Sequence, residues 1–63
     1  MNRIAKAAIN NGEWNRIASK THKHESGIII RYDYNRWLWV VVGGKDDGHA
    51  YMTLSVAQHA ATR

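Results

Sequence analysis

The period of apolar and polar positions changes along the chain. In residues 13–24, Trp14, Ile17, Ala18 and Thr21 recur at three- and four-residue spacing. At about 100° per residue these four share one helical face. Arg16, Lys20 and Lys23 fall on the opposite face, within about 60° of each other. The spacing therefore predicts a helix over 13–24, with Trp14 and Ile17 inward and the three cations outward. His22 and His24 would sit at its solvated end, where positive charge suits the helix dipole, and Gly27 would be the hinge out of it.

From residue 28 the period drops to two. Residues 28–34 and 37–42 are β-branched and aromatic, which predicts a hairpin with its turn at Asp33-Tyr34-Asn35-Arg36. The pairing puts Ile28, Ile30, Tyr32, Trp37, Trp39 and Val41 on one face. Ile29, Arg31, Leu38, Val40 and Val42 take the other. The second strand is apolar on both sides, as a central strand should be. Gly43-Gly44-Lys45-Asp46-Asp47-Gly48 reads as a polar turn, and 49–52 as a short third strand. Thr53 is placed to cap a last helix, with Leu54, Ala57 and Ala60 or Ala61 at helical spacing. Residues 1–10 are Ala-rich and read as a short helix that ends at Asn10-Asn11-Gly12. Asn-Arg-Ile-Ala occurs at 2–5 and again at 15–18. The expected fold is α+β: a three-stranded antiparallel meander packed by one main helix, with short N- and C-terminal helices, in a single domain over 1–63.

Sixty-three residues allow only a thin core. There is no Cys, so disulfides and Cys-based zinc cannot staple it. With 44% apolar residues and no Pro, the composition is not that of a disordered chain. Dense packing or self-association must supply the support, which makes a homodimer an expectation. The expected sheet sharpens this, because apolar residues on both faces leave one face needing cover. No stretch resembles a signal peptide, and the apolar run at 37–42 is too short to span a bilayer. No membrane partner is expected, and the expected location is the cytoplasm.

Net charge is +4 and lies in one half. Arg3, Lys6, Arg16, Lys20, Lys23, Arg31 and Arg36 outweigh Glu13, Glu25 and Asp33 in residues 1–36. After that, Lys45 and Arg63 balance Asp46 and Asp47. A basic half points to a polyanion or an acidic protein surface.

Catalytic chemistry finds no footing. Ser19, Ser26 and Ser55 lack the surroundings of an activated nucleophile. His22-Lys23-His24 supplies too few ligands for zinc, and Lys45-Asp46-Asp47-Gly48 lacks the spaced oxygens of a calcium loop. Gly43-Gly44 does not precede a helix as a phosphate loop would. No enzyme activity, cofactor or metal is expected. The informative residues are those that dominate binding surfaces: Arg16, Lys20, Lys23, Arg31 and Arg36, with Tyr34 and Trp37 near the hairpin tip.

Arg16-Ile17-Ala18-Ser19-Lys20, followed by Gly27-Ile28-Ile29-Ile30-Arg31 and Leu38-Trp39-Val40, resembles a family of small phage anti-CRISPR proteins. Members inhibit type I-F surveillance complexes. The resemblance covers about residues 14–42. It implies that helix cations at Arg16 and Lys20 contact Cas7-like backbone subunits of a CRISPR effector complex and block target DNA hybridisation, in the host cytoplasm. A second pattern, hairpin, strand and a T-L-x-x-A-x-x-A helix, is similar to the arm-type DNA-binding domains of phage integrases. That likeness implies nucleic acid as partner, with a three-stranded sheet in the major groove. A homodimer with a purely structural or interaction role is a third class.

Overall fold

A computed structural model of the chain describes residues 13–63. The helix expected over 1–10 and its break at Asn10-Asn11-Gly12 lie outside the described residues.

The apolar spacing predicts a helix over 13–24; the chain instead forms two strands, β1 (Trp14–Ala18) and β2 (Thr21–His24). The local chemistry explains the difference. Asn15, Ile17, Thr21, His22 and His24 are all weak helix formers. Lys20 adopts a left-handed backbone with φ 54°, which no helix interior accommodates. The Thr21 hydroxyl donates to the Ser19 carbonyl at 3.1 Å and helps fold the turn. Pairing then follows from Trp14 opposite His24 to Arg16 opposite His22. A bulge between Arg16 and Ala18 shifts the register.

Three further strands complete the sheet: β3 (Ile29–Asp33), β4 (Leu38–Val42) and β5 (Ala50–Tyr51). The order is β1-β2-β3-β4-β5, and every neighbouring pair is antiparallel. One helix, α1 (Leu54–Ala61), follows. The expectation of a three-stranded meander packed by a main helix is thus corrected. The described chain is a mostly-β domain, a five-stranded antiparallel sheet with one short C-terminal helix.

The central hairpin has the expected faces, because Ile30 pairs with Val41 and Tyr32 with Trp39. Its turn falls one residue later than expected. Asp33 pairs with Leu38, so residues 34–37 form the loop and Trp37 leaves the strand. Asp33 drives this. Its carboxylate accepts the backbone N–H groups of Asn35 and Arg36 at 2.9 and 3.3 Å. The Trp37 N–H closes the loop onto the Asp33 carbonyl at 2.7 Å. The 43–48 segment is a polar turn as expected; the Gly43 N–H donates to the Asp47 carboxylate at 2.7 Å. Gly44 is required there by its backbone, and Ile28 would also have to move its terminal methyl to admit a side chain. Its φ is +77°, and a Cβ would meet Ile28 Cδ1 at 2.9 Å.

Thr53 caps α1 as expected, with Oγ1 accepting the Val56 N–H at 3.2 Å. The helix lies on the sheet face that carries Ile30 and Val41. Ile30, Val41 and Ala57 are fully buried, with Trp14, Ile28, Trp39, Tyr51, Leu54 and Ala61 packed around them. Ile17, expected in the core, lies at the bulge and is 54% exposed. Truncating Ile30 to Ala should therefore cost about 2–5 kcal/mol. Ile17→Ala should stay within about 0.5 kcal/mol of the parent. Urea unfolding of both variants checks the assignment, and equal losses would contradict it.

Candidate functional site

Helix α1 covers only one side of the sheet. Register places Asn15, Ala18, Thr21, Lys23, Ile29, Arg31, Asp33, Leu38, Val40, Val42 and Ala50 on the other, with the Asp33 carboxylate bound to Arg36. Lys23 lies opposite Ile29. Arg31 lies between Thr21 on one neighbour and Val40 on the other. Both cations are exposed, and neither makes an ion pair among the described residues. This uncovered face is cationic along β2–β3 and apolar along β4. A shallow recess of about 210 Å³, bounded by Asn15, Ile17, Lys23, His24 and Glu25, indents its β1–β2 side. That volume is below the about 300–1,000 Å³ of small-molecule sites, so the recess suits surface contact better than an enclosed substrate.

The predicted stripe of Arg16, Lys20 and Lys23 is not assembled. A helix would put all three on one side, but strands alternate sides. Lys23 joins Arg31 on the uncovered face. Arg16 pairs across to His22 on the helix side, and Lys20 sits in the β1–β2 turn. Lys20 Nζ lies 5.3 Å from the Tyr32 ring centroid and 5.7 Å from that of Trp39, within range of cation–π attraction.

An aromatic row runs beneath Lys20. Tyr34 meets Tyr32 edge-on at 5.1 Å, Tyr32 meets Trp39 at 5.0 Å, and Trp39 meets His22 at 6.0 Å. Sequence reasoning singled out Tyr34 but missed Tyr32, Trp39 and His22 as one surface. The alternation of Tyr32 and Tyr34 was the signal available; His22 required knowing that β2 is a strand.

Tyr34, Arg36 and Trp37 all stand on the β3–β4 tip as expected. Tyr34 is 60% and Trp37 70% exposed. Arg36 Nε bonds the Asp33 carboxylate at 3.0 Å. This bond, together with the two backbone N–H donors, holds the Asp33 carboxyl below its ordinary pKa.

The histidines differ from a solvated helix end. His24 is 6% exposed and meets Trp14 in a tilted ring contact at 4.9 Å, and the Ser26 N–H donates to its Nδ1 at 3.1 Å. His22 is partly buried; desolvation, then the nearby Arg16 charge, lower its pKa from 6.5. Among the described residues, no three His, Asp or Glu side chains converge as metal ligands. Asp46 accepts from the Tyr51 hydroxyl, and this bond is the main cause that raises the tyrosine pKa. No described helix is long and apolar enough to cross a membrane.

No family model, curated protein or solved structure matches the chain.

His22 gives a pH dependence of stability. Its folded pKa lies below the ordinary value, so the unfolded chain binds the proton first as pH falls. The contribution is complete above the unfolded pKa of 6.5 and is lost as pH drops from there to the folded value. Thermal melts from about pH 7.5 to about pH 5 should show a larger fall in midpoint for the parent than for His22→Gln. Parallel curves would remove His22 from this role.

Proposed function

We propose that the protein is a small DNA-binding module whose uncovered sheet face enters the major groove of a duplex. The observation that carries this reading is the one-sided packing of α1. The helix occupies one face and leaves Lys23 and Arg31 on the other, without an ion pair among the described residues. The major groove admits a β-ribbon, and its edges offer chemistry to both kinds of residue on this face. Arg31 suits the paired acceptors of guanine. Val40, its cross-strand partner, and Ile29, two residues before it on β3, suit the thymine methyl group. Lys23 suits phosphate, as does Arg36 at the tip. The strand, hairpin, strand and Thr53-capped helix order supports the likeness to integrase arm-binding domains.

The test is a salt series on random duplex DNA with the parent and with Lys23→Glu/Arg31→Glu. The parent should lose affinity with a slope of log K on log salt of about −2 to −4, as expected for two to four phosphate contacts. The double variant should bind at least about tenfold more weakly, since a guanine contact such as that of Arg31 is worth roughly 1–3 kcal/mol, and its salt slope should shrink by about 1 with the loss of the Lys23 phosphate contact. Equal binding by parent and variant would overturn the reading.

One feature of the same face favours a second reading. The apolar band of Ile29, Leu38, Val40 and Val42 beside two cations also suits a protein partner, with an apolar centre and a charged rim. On this reading the chain acts in the host cytoplasm as a phage anti-CRISPR inhibitor of an RNA-guided surveillance complex. Lys23 and Arg31 would meet a Cas7-like backbone subunit at this face, while Arg16 and Lys20, the positions the resemblance implies, stand on the helix side and in the β1–β2 turn. Inhibition of target-DNA hybridisation by a purified type I-F complex, without binding to bare duplex, would put this reading first. Failure to inhibit would remove it.

A homodimer would use the same apolar band. Sedimentation equilibrium at micromolar concentration should show a dimer mass that Val40→Glu abolishes; monomer mass throughout would exclude it.

A further inference from the structure

Trp37 is the least economical residue in the structure. It has a left-handed backbone with φ 59°, a conformation that glycine adopts without steric cost. It also leaves its indole 70% exposed. Among the described residues it makes no aromatic contact and no side-chain hydrogen bond. The fold would be served equally well by glycine at this loop position, so the indole points to something outside the fold. Tyr34, in the same loop, is 60% exposed and begins the row Tyr34–Tyr32–Trp39 that Lys20 overlies.

We propose that Trp37 and Tyr34, with Lys20 and Arg16 beside the row, form a stacking site for unpaired bases of single-stranded nucleic acid. Exposed rings offer π faces to bases of any identity, and cations alongside take the phosphates. Both are present here. Lys20 is held over the rings, Arg16 has no ion-pair partner among the described residues, and the nearest tip carboxylate, Asp33, is already occupied by Arg36. The aromatic row lies on the helix side of the sheet, opposite Lys23 and Arg31. Tyr32 and Trp39 thus face away from the duplex-binding cations, so the two proposals are tested by separate substitutions.

The experiment compares an oligothymidine of about eight nucleotides with an abasic oligomer of the same length and charge. Binding is read by tryptophan fluorescence and by anisotropy of a labelled oligomer. The parent should bind oligothymidine at least about tenfold more tightly than the abasic strand, the value of roughly one stacked base. Trp37→Gly should lose most of that preference while its thermal midpoint stays level or rises. Tyr34→Ala should lose part of it. Lys23→Glu/Arg31→Glu should keep it, even where duplex binding is gone. Equal affinity for the abasic strand, or a preference unchanged in both Trp37→Gly and Tyr34→Ala, would overturn the proposal. So would failure of the parent to bind oligothymidine at low salt.

Discussion

The contact of Ala57 with Ile30 and Val41 governs the arrangement of the described chain. These are its three fully buried apolar residues, and they join the helix to the two central strands. Alanine at the contact lets the helix backbone approach the sheet closely, and the larger Trp14, Trp39, Tyr51 and Leu54 fill the margin around it. A core this small has little redundancy, so nearby residues contribute by supporting this one seam. The seam also settles which face of the sheet is spent on stability. The other face retains what a partner can use.

Neighbour-to-neighbour topology makes so small a core sufficient. Each strand pairs with the next in sequence, so loop closure is short throughout and no crossover must be ordered. The turns are held by their own polar groups. Asp33 gathers two N–H groups and Arg36, Asp47 takes the Gly43 N–H, and Asp46 takes His49 and the Tyr51 hydroxyl. Three of the acidic residues thus serve as turn fasteners. This leaves the positive charge of Arg16, Lys23 and Arg31 without compensation from nearby carboxylates among the described residues. The net basic character of the surface follows from where the acids are used as well as from how many bases there are.

The sequence is most readable where local and non-local forces agree. In β3 and β4, β-branched residues, strict alternation and a turn beginning at Asp33 all favour one hairpin, and its faces follow from parity alone. In α1, the Thr53 cap coincides with the Leu54–Ala57–Ala61 spacing that the seam requires. Residues 14–21 are readable only in the wrong sense. Trp14, Ile17, Ala18 and Thr21 match a helical period by position, yet only Trp14 among them packs on the core. No Gly or Asn marks the β1–β2 turn, because Lys20 takes the left-handed conformation itself. What decides the segment is the free hydrogen-bonding edge of β3. Pairing with it satisfies the backbone of β2 and buries His24, a tertiary gain that no twelve-residue window contains.

That single change of period redistributes the candidate site. As a helix, 13–24 would concentrate Arg16, Lys20 and Lys23 on one surface, and the aromatic hairpin would be mostly core. As two strands, it divides the cations by parity. Lys23 joins Arg31 on the uncovered face, while Lys20 lies over the rings of Tyr32 and Trp39 and Arg16 pairs with His22 on the helix side. Neither group is dense enough to hold a polyanion by charge alone, since a few exposed cations are heavily screened at physiological salt. Each is paired with a different second component. The uncovered face adds apolar side chains at strand spacing, and the helix side adds exposed aromatic rings on a rigid hairpin. The binding proposed for either surface would therefore need charge acting together with shape or stacking. The two surfaces differ in chemistry because strand parity sends Tyr32 and Trp39 to the helix side, beyond the Ile30–Val41–Ala57 seam, and Lys23 and Arg31 to the other.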